Sequence, residues 1–397
     1  MTLYNTKILR YELSAELLNI IDYWQKFSPD EENGGFVGQR NHDNKLVPNA
    51  SKGIILNTRI LWTFSAYTKN SKDKISSQYA KRAFHYLINY FKDQKFKGFY
   101  WELDAEGSVI NKRKQIYAQA FAIYALSEYY LISKDNSAIT EALEIFKLIE
   151  ENAFDHVNKG YFEAFDRNWK PIADMRLSEK DLNASKTMNT HLHLLEAYTT
   201  LYTVTNKPEV KKALEQLINL FLTHFYNPEN QHFKLFFDND WNNLDRKISY
   251  GHDIEAIWLL IEAAKAINNN GLLKRVQSIS GPVADTFIKE AVTSNGVINE
   301  HDLATGHTDT DKHWWPQAEA MLGLYYAFQN SPKPEYLNAI YQIWDFTKKN
   351  IIDHQNGEWF FRVDNKNTPY SSEDKLGMWK CPYHNSRACM ILLEKMP

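Results

Sequence analysis

GFYWELDAEGSVINKRKQIYAQAFAIYALSEYYL, residues Gly98–Leu131, carries a glycine and a short aromatic-rich run ending in Asp104 into a helix-length segment that is apolar almost all the way round. The first part recurs along the chain as GFVGQRNHD (Gly35–Asp43), GYFEAFD (Gly160–Asp166), HFKLFFD (His232–Asp238), GVINEHD (Gly296–Asp302) and GEWFFRVD (Gly357–Asp364). Successive starts lie 63, 62, 72, 64 and 61 residues apart. Self-similarity at a near-fixed period means one supersecondary unit used repeatedly, here six times.

The segments between copies are helical and of two kinds. Those before a short strand, such as Gln78–Lys92 and Tyr336–Lys349, are amphipathic and Lys-rich, so one face meets water. Those after it, such as Gln115–Leu131, His252–Ile267 and Trp315–Phe328, are apolar on most sides and belong inside. Six outer and six inner helices in alternation predict an all-α (α/α)6 barrel with short strand loops at one rim, the alternative being an open helical solenoid. The N-terminal segment through Trp24 is expected to be the first outer helix, and it lacks the uninterrupted apolar core of a secretory signal.

With no linker or low-complexity tract to interrupt the period, residues 1–397 are expected to form a single domain. A net charge of −3 with dispersed Lys and Arg offers no basic stripe, so nucleic acid is not an expected partner. No apolar run is long enough to span a membrane, and two cysteines, Cys381 and Cys389, make no disulfide framework. A cytoplasmic monomer acting on a small molecule is expected. Aromatic residues at 14% of the chain exceed ordinary packing needs and suit the apolar faces of pyranose rings.

Polar residues recur where the inner helices begin: Arg59, Tyr117, Asn189 with His193, His252 with Glu255, Trp315 with Glu319, and His384 with Arg387. In a closed barrel these face one cavity mouth ringed by helix N-termini, whose free N–H groups and partial positive charge favour a developing oxyanion. Spacings of three or four put each pair on one helix face. His191 points about 200° away from Asn189, so His193 is chosen over it. A lone histidine on an apolar helix is usually a satisfied core residue; three in matching phase argue for a site. Arg59 could pair with a carboxylate or with substrate oxygens, and Glu255 and Glu319 could orient a histidine or neutralise an arginine.

Dinucleotide, P-loop, serine-hydrolase and zincin motifs are absent. The HTDTDKH segment, His307–His313, has metal-type residues but lacks the glycine and final glutamate of a calcium loop, and is expected to be a polar rim loop. No cofactor or metal is expected.

MNTHLHLLEAYT (Met188–Thr199), GHDIEAIWLLIEAA (Gly251–Ala264), DKHWWPQAEAM (Asp311–Met321) and WKCPYHNSR (Trp379–Arg387) resemble the signature stretches of the cellobiose 2-epimerase family, within the N-acylglucosamine 2-epimerase superfamily. The resemblance runs the whole chain. It implies an (α/α)6 barrel that inverts C2 of the reducing-end glucose in β-1,4-linked disaccharides such as cellobiose and lactose, without a cofactor. It further implies that His252 and His384 are the acid/base pair, with His193 assisting. Arg59, Tyr117, Asn189, Glu255 and Glu319 would bind or polarise the sugar, Trp315 and Trp379 would stack on it, and Asp181 would serve a subsite.

That chemistry suits the residues. Epimerisation needs ring opening, removal of the C2 proton, a stabilised cis-enediolate and a proton returned to the other face, and imidazoles titrate near neutrality. Within the superfamily, N-acylglucosamine 2-epimerase and mannose isomerase are the rivals. A glycoside hydrolase would use Glu255 and Glu319 as its carboxylate pair and leave the histidines without a function. A non-catalytic sugar-binding barrel would need aromatic platforms but no acid/base pair.

Overall fold

The structure is a computed structural model that describes residues 6–397. The described residues form twelve α-helices: α1 (Thr6–Phe27), α2 (Ile54–Ser71), α3 (Lys74–Tyr86), α4 (Ile116–Ser133), α5 (Asn136–Asn152), α6 (Met188–Thr205), α7 (Pro208–Leu220), α8 (Tyr250–Ala266), α9 (Asn270–Ala291), α10 (Trp314–Asn330), α11 (Pro334–Phe346) and α12 (Tyr383–Lys395). Met1–Asn5 of the expected first outer helix lie outside the described residues. The even-numbered helices pack side by side in chain order, and α12 packs against α2, so the ring closes and the open solenoid is excluded. Each odd-numbered helix lies outside, with α1 covering α12 so that the first helix seals the last repeat.

Local sequence accounts for the two layers. On α4 every residue from Ile116 to Tyr129 is buried, as a helix walled in on all sides requires. On α7 burial falls on Val210, Ala213, Leu214, Leu217 and Ile218, the three-four spacing of a helix with one wet face. Inner helices α2, α4 and α6 end in left-handed residues Lys72, Lys134 and Asn206. Asp73 and Asp135 then cap the outer helices α3 and α5 at once. Short links therefore collect at one end of the barrel. The long loops, and the N-termini of the inner helices, collect at the other.

At that end the short strands form a ladder. Each aromatic run pairs antiparallel with the residues entering the preceding inner helix: Glu102–Leu103 with Lys52–Gly53, Ala164–Phe165 with Lys114–Gln115, Phe236–Phe237 with Lys186–Thr187, Glu300–Asp302 with Lys247–Ser249, and Arg362–Val363 with Lys312–His313. A bridge between Arg40 and Leu376 completes the circuit. Below the ladder, Lys52, Lys114 and Lys186, each two residues ahead of an inner helix and no more than 1% exposed, bond Asp30, Asp93 and Asp155 at 2.7, 3.3 and 2.7 Å. The entries of α2, α4 and α6 are thus tied to the ends of the outer helices before them.

One repeat boundary differs from the sequence reading. Gly35, Gly98, Gly160 and Gly296 have φ of 63°, 63°, 80° and 81°, and in the first three of these repeats the next residue bridges back to the end of the outer helix. In the sixth repeat the bridging residue is Trp359, so Glu358 (φ 61°), not Gly357, stands in the glycine's place. Glu358 holds that conformation with a buried carboxylate that accepts from the backbone N–H of Trp359, Trp24 Nε1, Asn385 Nδ2 and Lys380.

Candidate active site

Equivalent positions on the inner helices take equivalent duties. The fourth residue turns outward to the strand ladder. Gln119 bonds both backbone groups of Phe99 at 2.9 Å, and Gln317 does the same for Val297. His191 is another such residue: Nε2 accepts from the Tyr161 N–H at 2.9 Å and Nδ1 donates to the Thr187 carbonyl at 2.7 Å. It is a fully satisfied core histidine, as helical phase predicted. The sixth residue instead turns inward, giving Arg59, Phe121, His193, Glu255 and Glu319, with Arg387 as their counterpart on α12.

Above this inward ring lies a cavity of about 190 Å3 lined by Arg59, Tyr117, Asn189, His193, His252, Glu255, Trp314, Trp315, Phe361, Trp379 and His384. Nine of the eleven residues to which the resemblance gives a role are in its wall. Of the other two, Glu319 stands behind His384, where burial with three donors around it removes it from the surface of the cavity. Asp181 lines an adjoining cavity of about 80 Å3 that shares Asn189 and His252 with the first. Its carboxylate caps a local turn, accepting from Ser178 N–H and Oγ at 2.8 and 2.9 Å.

His252 and His384 occupy equivalent places on α8 and α12, two positions apart in the ring rather than opposite. Trp315 of α10 fills the gap, its ring centroid 4.9 Å from His252 and 5.6 Å from His384. Gly251 permits this packing, because a Cβ there would lie 2.4 Å from the Trp315 ring. By ring order His252 faces Arg59 across the barrel, and His384 faces His193. Nδ1 of His252 is bonded to Ser249 Oγ and Nδ1 of His384 to Glu319 Oε1, both at 2.7 Å, which leaves Nε2 of each ring for the cavity. Burial pushes both imidazoles down to about 3, so both are neutral at neutral pH.

The supporting charges are unevenly paired. Arg387, fully buried, bonds Glu196 and donates from Nη2 to both Glu255 and Glu319 at 2.7 Å. Burial works against ionisation of Glu319, but Arg387 and His384 outweigh it and hold the carboxyl at about 2. Glu255 goes the other way: burial and the neighbouring Glu319 push it well above the usual carboxylate range. Oxygen and nitrogen atoms of Glu255, Glu319 and His384 come within 4.8 Å of one another, an arrangement that could attract a metal, but Arg387 already supplies the cation there.

Arg59 is different. Its Nη2 donates to the Tyr117 hydroxyl at 2.7 Å, Nη1 reaches Cys381 Sγ at 3.4 Å, and Nε has no partner. Its guanidinium lies 4.3 Å from the Phe121 ring centre and 4.9 Å from that of Tyr383. Among the described residues no carboxylate pairs with it. A guanidinium 3% exposed and held by aromatic faces, a phenol and a thiol keeps its positive charge for whatever enters the cavity. Asn189 Oδ1 likewise finds no partner.

Sequence reasoning missed Trp314 and Phe361. The doubled Trp314–Trp315 was visible, but Trp314 belongs to the first helical residue, whose phase points along the rim. Phe361 comes from the neighbouring repeat, where its backbone carbonyl accepts from the Trp314 N–H at 3.1 Å. The HTDTDKH segment is a rim hairpin: Thr308–Asp309 pairs with Glu300–His301, and Asp311 is taken up by Arg362 and Tyr370.

Known proteins share this architecture. The family pattern of N-acylglucosamine 2-epimerase matches residues 34–388. A cellobiose 2-epimerase of Bacteroides fragilis is 43% identical over 98% of this chain and 99% of its own length, and one from Dictyoglomus turgidum is 40% identical over 98% and 99%. The structure of a cellobiose 2-epimerase from Bacillus thermoamylovorans superposes with a TM-score of 0.94 at 36% identity, covering 98% of this chain and all of that one.

Proposed function

The chain belongs to the N-acylglucosamine 2-epimerase family and is a carbohydrate epimerase, and from that premise we propose that residues 1–397 act as one catalytic barrel inverting C2 of the reducing-end glucose of β-1,4-linked disaccharides. Cellobiose would give 4-O-β-D-glucosyl-D-mannose and lactose would give epilactose. The observation that carries the reading is the pairing, in one cavity, of two imidazoles that each present Nε2 with a buried guanidinium that has no counter-charge.

The step needs one proton shared between His252 and His384, taken up together with the substrate because burial alone leaves both rings neutral. The anionic Glu319 behind His384 makes that ring the better holder of it, because an imidazolium there gains a carboxylate partner that Ser249 does not give His252. In the open-chain aldehyde the neutral imidazole takes the C2 proton. The C–H electron pair becomes the C1–C2 double bond while the carbonyl pair moves to O1. Arg59, with Tyr117, neutralises the resulting enediolate, and a protonated Glu255 can donate to a sugar hydroxyl. After rotation about C2–C3 the other imidazolium returns a proton to the opposite face, and solvent resets the pair. Trp315 supports the reacting sugar between the two rings, with Asn189 binding that sugar and His193 assisting the acid/base pair, while Trp379 supports the second sugar and Asp181 serves its subsite.

The test is product identity. Cellobiose incubated with the protein should yield the glucosyl-mannose disaccharide as the sole new sugar on anion-exchange chromatography. Free glucose would transfer the site to hydrolysis, with Glu255 and Glu319 as the carboxylates. A keto-sugar alone would make it an isomerase, and turnover of N-acetylglucosamine in preference to cellobiose would favour the N-acyl rival.

A further inference from the structure

We propose that His232 is a positioning residue for the acid/base site, its imidazolium clamping the first turn of α8, next to His252, to the end of α9. The proposal rests on the epimerase reading of His252.

The fourth repeat departs from its siblings twice, and the two departures meet. His232 stands where the second, third and fifth repeats have Gly98, Gly160 and Gly296. Asp253 is the fourth residue of α8, at the position where neutral Gln119, His191 and Gln317 close the strand ladder in the second, third and fifth repeats. Its Oδ1 accepts from the Phe233 N–H at 2.8 Å, which is the common duty, and its Oδ2 meets His232 Nδ1 at 2.7 Å, which is not. On the far side His232 Nε2 meets Glu290 Oε2 of α9 at 3.2 Å. The Tyr250 hydroxyl of α8 donates to the same Glu290 oxygen at 3.4 Å.

Carboxylate oxygens only accept, so a neutral imidazole can satisfy one of these partners and must turn a lone pair toward the other. The arrangement is saturated only when the cluster holds one more proton. Burial opposes a charge on His232, but Asp253 and Glu290 outweigh it and raise its pKa. Burial also pushes Asp253 upward against the pull of His232, so the extra proton is retained by the His232–Asp253 pair whichever atom carries it. The other charged groups near His232 are Lys234, Asp245, Arg246 and Lys247, which line with it a cleft of about 280 Å3 open to the loop side. None of them bonds the imidazole, and the cleft gives protons a route to it.

The direction in pH follows. A histidine raised above its unfolded value of about 6.5 contributes its full stabilisation below that pH and loses it as pH rises through the folded value. On the alkaline side Glu290 swings to water, the tie between α8 and α9 is lost, and His252 is held less firmly although its bond to Ser249 remains.

The experiment compares wild type, His232→Asn and the double variant His232→Gly/Asp253→Gln, which recreates the neutral pair seen with Gly98 and Gln119. Melting temperature and kcat on cellobiose are followed from pH 5.5 to 9. Wild type should show a one-proton alkaline fall in melting temperature, and in kcat the same fall added to the one set by the catalytic imidazoles. His232→Asn, with Asp253 left uncompensated, should melt lower at every pH and, if folded, lack the fall in melting temperature. The double variant should recover the melting temperature, keep the neutral-pH rate, lose the fall in melting temperature and retain in kcat only the fall of the catalytic imidazoles. A wild-type melting curve without the fall, or a double variant that retains it, overturns the clamp. Failure of wild type to epimerise any sugar would instead overturn the functional reading, with the melting curves still deciding the clamp.

Discussion

Glu319→Gln is a one-atom change whose outcome can be worked from the geometry. Glu319 Oε1 accepts from His384 Nδ1 and Arg387 Nη2 at 2.7 Å each, and Oε2 accepts from Trp258 Nε1 at 3.1 Å, with the side chain fully buried. Three donors surround it and an amide has a single acceptor oxygen, so its NH2 must face at least one N–H. Facing Trp258, it leaves an unsatisfied donor pair costing about 1–3 kcal/mol. Facing His384, it forces the ring to shift its proton to Nε2, and the lone pair leaves the cavity. In both orientations a charge-assisted bond worth about 1.5–3 kcal/mol to the His384 imidazolium is lost. At about 1.4 kcal/mol per tenfold that is about 10- to 100-fold in kcat. Losing the carboxylate also lowers the pH at which His384 can hold a proton, so the alkaline limb of kcat moves to lower pH. Steady-state rates from pH 5 to 9, with calorimetry to establish folding, measure both. A folded variant with unchanged kcat and an unmoved profile would refute the dyad.

His191→Ala should cost stability, about 1–3 kcal/mol for the two bonds it removes, while kcat stays within severalfold of wild type; loss of kcat in a stable variant would mean the α6 phase is misassigned. Trp379→Ala should lower kcat/KM on cellobiose by removing stacking worth about 0.5–1.5 kcal/mol, a few-fold to about tenfold, and leave glucose little changed. Trp315→Ala, between the two histidines, should harm both sugars; equal loss on both from Trp379→Ala would move that residue to the reacting ring. Where α1 meets the sixth repeat, burial pushes Glu16 up to about 7, outweighing donation from Trp359 and Asn19. A raised acid favours the folded state while protonated and loses that advantage as pH climbs from about 4.5 through 7, so Glu16→Gln should raise the melting temperature at pH 8 and have little effect at pH 4.5.

The barrel was legible because its cause is local. A helix apolar on all sides and one apolar on a single face leave different residue patterns, and their alternation with a glycine-led strand fixes both layers. The inward positions were legible for the same reason, since Arg59, His193, Glu255 and Glu319 sit at one phase of equivalent helices. What escaped notice is non-local. The lysines two residues before inner helices recur visibly, yet their aspartates lie 21 to 31 residues back, and nothing in the spacing alone ties Lys186 to Asp155. Arg387 joins carboxylates of α6, α8 and α10 from α12, a convergence that exists only once the ring is closed. The seats of the two histidines on α8 and α12, with Trp315 between them, are set by ring order, which no spacing along the chain reveals. The sixth repeat was read one residue early because Gly357 masks Glu358, whose carboxylate, rather than the absence of a side chain, secures the left-handed turn.

The most direct test of the account is exchange at C2. Cellobiose converted in D2O should give 4-O-β-D-glucosyl-D-mannose carrying deuterium at C2, seen by NMR as loss of the C2 proton signal, since the imidazoles trade protons with solvent between the two faces. His252→Ala and His384→Ala should each cut that conversion by at least about 10²-fold, the scale of a positioned acid or base, in folded protein. Product formed with the C2 proton fully retained, or undiminished turnover in either histidine variant, would contradict two-histidine proton transfer through an enediolate.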